Sequence, residues 1–157
     1  MRKSLEYFKG VTRLKLKIVK EKMAGVAERP FKGEEYGIED VEEPTILIGE
    51  EILKEGIEDL PPYQALAHEI YHASKSPRRR GPWPVVQSEP SVAGLEDEVE
   101  AIMFASLSTG NPPSNIEIKG AKMYARKVGI DSDSWRSLVR EAASRMDWRG
   151  PLSSWYY

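Results

Sequence analysis

Both histidines of the 157-residue chain fall in one stretch, His68-Glu69-Ile70-Tyr71-His72. On a helix, positions i and i+4 lie one turn apart on the same face. Two imidazoles placed that way can converge on one zinc ion, with Glu69 projecting beside them. Neutral nitrogen ligands hold a metal without quenching its charge, so it still acidifies bound water and polarises a carbonyl. A neighbouring carboxylate can accept the water's proton and pass it to a leaving amine. With 19 glutamates in the chain, shuffling would produce this pattern in about one of several hundred chains.

Zinc needs a third protein ligand. No further histidine and no cysteine exist, so the ligand must be a carboxylate. The best donor is the stretch L-E-D-E-V-E-A-I-M-F-A, residues 95–105. Helical geometry puts Glu98 on the face of Ala101, Ile102 and Ala105, toward an apolar interior. It turns Glu96 and Glu100 nearly the opposite way and the shorter Asp97 sideways. An acid on a core-facing stripe is costly unless paired or bound to a cation. Glu98 is therefore the expected third ligand.

H-E-I-Y-H followed by E-V-E-A-I-M-F-A resembles the ImmA/IrrE-type zinc metallopeptidases, and the small gluzincins called minigluzincins are similar. The resemblance covers about residues 44–110. It implies a compact zincin-like domain with His68, His72 and Glu98 as zinc ligands and Glu69 as general base and acid. It also implies that Thr45-Ile46-Leu47-Ile48-Gly49 is the edge strand over the cleft, pairing with an extended substrate. Two positions depart from the family pattern: Tyr71 stands where a glycine is common, and Ile102 where an Asn or Asp usually supports the site. Family relatives typically cleave a helix-turn-helix repressor, which makes a cytoplasmic transcriptional repressor the implied substrate. Tyr71, Tyr124, Arg126 and Tyr157 are the candidate oxyanion donors.

These residues need elements to hold them. Leu14, Leu16 and Ile18 alternate with Arg13, Lys15 and Lys17, predicting a strand with its apolar side buried. Residues 28–43 read as turns, and 45–48 as a short buried strand. Pro61-Pro62 opens a helix running to Lys75, and the following S-P-R-R-R-G-P-W-P is a loop. Further helices are expected at about 94–108, at 115–128 with Ser114 as cap and Gly129 beyond the end, and at 134–148 capped by Asp133 or Ser134. Strands first and helices after predict an α+β domain spanning 1–157, a small antiparallel or mixed sheet packed on the active helix and followed by three helices.

Composition narrows the function classes. Without cysteine there is no disulfide scaffold and no thiolate metal site. No apolar run approaches the length that spans a bilayer, and the N-terminus lacks a signal-peptide core, so a soluble cytoplasmic protein is expected. Two Asn and two Gln beside abundant Glu, Lys and Arg match the bias of proteins from hot environments. Residues 1–27 carry a local excess of positive charge and 28–59 of negative charge, read as solvated surfaces.

The expected function is a zinc-dependent metallopeptidase acting on a protein or peptide substrate, with a homodimer compatible and no membrane partner. One alternative is a non-catalytic zinc-stabilised interaction or regulatory module. Another is a latent proenzyme whose aromatic tail, Trp155-Tyr156-Tyr157, occludes the cleft. Nucleic-acid binding through the basic N-terminal stretch or Arg78-Arg79-Arg80 is disfavoured by the net charge of −2.

Overall fold

The computed structural model describes residues 15–20, 24–27, 45–75 and 90–157. The basic segment 1–14, the turn-rich segment 28–44 and Arg78-Arg79-Arg80 lie outside the described residues.

The fold is α+β. Strands β1 (Lys15–Val19), β2 (Ala24–Ala27) and β3 (Thr45–Gly49) form a mixed sheet in the order β1-β3-β2. β1 runs parallel to β3 and β2 antiparallel to it. Ile46, Leu47 and Ile48 are all buried, as expected of an apolar run covered on both faces. This corrects the expectation that β3 is an edge strand: it is the central one, and both its edges are already paired. The edge strand beside the helices is β2, a four-residue A-G-V-A too short to signal itself in the sequence.

A second correction concerns β1. Leu16 and Ile18 are 44% and 55% exposed, although their register partners Ile46 and Ile48 are buried. The face that the alternation marks as apolar is therefore exposed, while Val19, one residue on and facing the other way, is 2% exposed. In the sheet the burial is centred on β3. There Ile48 packs with Ile52, Leu60 and Ala65.

Helix α1 (Glu50–Glu55) follows β3 directly and was not expected from the sequence. It ends at Gly56, whose φ of +77° suits glycine and where a Cβ would meet the Leu60 carbonyl oxygen at 2.2 Å. The turn it opens brings Asp59 to the first two residues of a later helix, α4 (Asn115–Val128). There its carboxylate accepts from Asn115 N and, at 3.2 Å, from Ile116 N.

α2 (Pro62–Lys75) has the expected bounds. α3 (Val92–Thr109) starts two residues earlier than expected, capped by Ser91, which accepts from Gly94 N at 3.0 Å. α4 carries the expected Ser114 cap, completed by Glu117 into a reciprocal capping box, and ends at Gly129 in the left-handed region. α5 (Ser132–Arg145) is capped by Asp131, not by Asp133 or Ser134. In D-S-D-S several side chains can cap, and the earliest one reaches Ser134 N at 2.7 Å. The helix stops short of Trp148 because Asp147 takes a positive φ of 54°.

α3 is the centre of the helical layer. Every residue from Val99 to Ser106 is buried, and α2, α4 and α5 all pack on it. Glu100 therefore does not point outward as expected. It is buried, accepting from the Tyr71 hydroxyl and from Arg145 Nε at 2.7 Å.

The tail forms α6 (Ser153–Tyr156). Trp155 is fully buried beside Trp135, whose Nε1 donates to the Trp155 carbonyl at 2.7 Å. Among the described residues, no helix is long and apolar enough to cross a membrane.

Candidate metal centre

α2 and α3 bring the predicted site residues together. His68 and His72, one turn apart on α2, turn their Nε2 atoms to within 3.1 Å of each other. Glu98 on α3 closes the triangle, with Oε1 at 2.8 Å from His68 Nε2 and Oε2 at 3.0 Å from His72 Nε2. One ligand atom from each residue lies within 4.8 Å of the others. Glu98 thus joins the two histidines as the sequence indicated. Part of its side chain stays accessible, at 30%.

Electrostatics match a cation site. Burial opposes charge on His68, yet Glu98, Glu117 and Glu69 outweigh it and raise the imidazole's pKa well above its ordinary value. Burial would raise the Glu98 pKa, but His68 and His72 hold it far below the usual carboxylate range. Glu69, next to His68 and buried, has its pKa raised by desolvation, which the two histidines only partly offset. Three carboxylates around two imidazoles form a site whose negative charge a divalent cation would largely offset. Two nitrogens and one carboxylate oxygen are also a donor set that zinc accepts while keeping a position open. The residues fit the metal.

Comparison with protein-family models, curated proteins and solved structures returns no match.

A cavity of about 260 Å³ opens beside the centre. His68, Glu69, Glu98 and Glu117 are its ionisable lining residues, and Ala24 of β2, Ile57, Leu60 and Ile116 are among its apolar ones. Gly120 also borders it, with no atom within 4 Å of where a Cβ would sit.

Several expected participants stand elsewhere. Tyr71 is buried against Phe104 and bonded to Glu100, so its hydroxyl is committed to the core. Tyr124 receives the Ser91 amide at 3.2 Å, at the start of α3. Arg126 is exposed in the last turn of α4, and Tyr157 is exposed with Arg136 near its ring. No residue of the tail lines the cavity; it covers α5 instead of entering the cleft.

Ile102 is fully buried in the apolar core. The residue that sequence reasoning missed is Glu117, whose Oε2 lies 2.8 Å from His68 Nδ1. Its only local signal is the S-x-x-E spacing from Ser114, which announces a cap and nothing about the histidine.

Proposed function

We propose that this protein is a zinc-dependent peptidase that hydrolyses a peptide bond in a cytoplasmic protein, a helix-turn-helix repressor being the substrate implied by the ImmA/IrrE resemblance. The observation that carries the reading is the meeting of His68, His72 and Glu98 beside a cavity that His68, Glu69 and Glu98 line. His68, His72 and Glu98 would hold the metal. Zinc in such a site acidifies water and polarises a carbonyl.

The chain's own groups supply the rest. Glu69, its proton affinity raised by burial, takes the proton of the attacking water. It then delivers that proton to the amine nitrogen as the C–N bond breaks. An extended substrate segment would lie against β2, whose second edge pairs with no strand among the described residues. The apolar wall formed by Ile57, Leu60 and Ile116 would receive one of its side chains. Three candidate ligands beside a cavity, among the described residues, favour catalysis over a structural zinc site, where four is usual.

Elemental analysis of untagged wild type and Glu98→Ala tests the metal. About one zinc per wild-type chain, with clear loss in the variant, is the expected result. Cleavage of a denatured-protein digest, followed by mass spectrometry, tests the activity. Glu69→Gln should retain zinc and lose at least about 100-fold in rate. Wild type that binds no zinc after incubation with the metal would overturn the reading.

A further inference from the structure

We propose that Glu117 is the positioning residue of the metal centre, fixing the tautomer and ring plane of His68 from a helix that supplies no ligand. The proposal rests on the reading of His68, His72 and Glu98 as ligands.

The geometry assigns each carboxylate oxygen a separate partner set. Oε2 lies 2.8 Å from His68 Nδ1. A carboxylate only accepts, so Nδ1 carries the hydrogen, and Nε2, which faces Glu98 and His72, is the nitrogen left to give its lone pair to a metal once its own proton is displaced. Oε1 accepts from Ser114 Oγ at 2.8 Å, Ser114 N at 3.3 Å and Gln64 Nε2 at 3.3 Å. Gln64 is itself fully buried and anchored by donating to the Pro112 carbonyl at 2.9 Å. The carboxylate is therefore clamped before it meets the imidazole, and the orientation passes from α4 to His68. A hydrogen bond to the distal nitrogen also makes a ligating histidine a stronger donor to its metal.

A helix cap alone does not require this residue. Gln serves the third position of a capping box as well as Glu does, and the capping contacts use Oε1 alone. The charge and Oε2 are left for His68. The side chain is 3% exposed, and a carboxylate so buried persists only where donors saturate it.

Glu117→Gln separates the two roles. The amide has one acceptor oxygen, so it cannot accept from Ser114 and Gln64 on one side and from His68 Nδ1 on the other. In zinc-free protein, nitrogen-15 NMR should detect a hydrogen-bonded Nδ1–H on His68 in the wild type and lose it in Glu117→Gln. Zinc affinity, measured by chelator competition, should fall about 10- to 100-fold. Ser114→Ala, which weakens the cap but leaves Oε2 on His68, should lower the urea midpoint while costing several-fold less affinity.

Zinc binding by Glu117→Gln as tight as wild type, or equal losses in Glu117→Gln and Ser114→Ala, overturns the proposal and leaves the metal reading standing. Absence of zinc binding in the wild type overturns both, so the two failures are distinct.

Discussion

The hydroxyl of Tyr71 donates to the buried carboxylate of Glu100, tying α2 to α3 one residue before His72. Arg145 Nε reaches the other oxygen of that carboxylate at 2.7 Å, so a single acid joins three helices. Tyr71 thus forms part of the contact that holds the helix of His68 and His72 to the helix of Glu98.

Tyr71→Phe keeps the ring packed on Phe104 and removes only the hydroxyl. A hydrogen bond to a buried charged group is worth about 1.5–3 kcal/mol. Chemical unfolding should show a loss of that size, with zinc content unchanged. An unaltered midpoint would show that the Glu100 charge does not depend on the tyrosine hydroxyl.

Gly56→Ala should be among the most damaging small changes in the chain. It combines a left-handed backbone with a Cβ placed 2.2 Å from the Leu60 oxygen, and strain of this kind costs on the order of 1–3 kcal/mol. Because the same turn delivers Asp59 to α4, amide exchange at the start of α4 should quicken in the variant. Protection confined to its wild-type level there would disconnect the turn from the helix.

Gly120 sits inside α4 with open space around it on the cavity wall. Helical glycine costs about 1 kcal/mol relative to alanine, so Gly120→Ala should raise the melting temperature. Gly120→Leu should fill part of the cavity and raise KM for cleavable peptides more than it lowers kcat. Unchanged KM in the leucine variant would remove this wall from the substrate path.

Asp131 supplies the pH-dependent element of α5. Hydrogen bonds from the Ser134 amide hold its carboxyl below the usual range. A depressed folded pKa adds stability that is complete above the unfolded value of about 3.9 and is lost as pH falls through the folded one. Asn caps equally well without titrating. Wild type should match or exceed Asp131→Asn in urea midpoint at neutral pH and fall behind it near about pH 2. Parallel curves would show that the cap does not titrate with folding.

What the sequence disclosed tracks how local each signal is. Pro61-Pro62, Ser114 and Gly129 mark their helix ends within a residue or two, and the bounds of α2 and α4 matched. The histidine spacing works within one turn, and Glu98 needed only the wheel of its own helix. That same wheel misplaced Glu100, because it assumes one covered face and α3 is covered nearly all round. The centrality of β3 depends on strands that come earlier in the chain, which no run of apolar residues reports. Glu117 meets His68 across 49 positions, and its spacing to Ser114 already had a sufficient local explanation as a cap.

The tie from Asp59 to the first turn of α4 spans 56 and 57 positions. It bears on how much chain the motif needs. Residues 44–110 hold both histidines, Glu69 and Glu98, yet end before Ser114 and Glu117. A fragment cut to the recognisable motif would keep every expected ligand and lose the carboxylate on His68 together with the cavity's far wall. The recognisable motif is therefore shorter than the unit that carries the site's hydrogen bonds. By this geometry the minimal unit of the site reaches at least through α4.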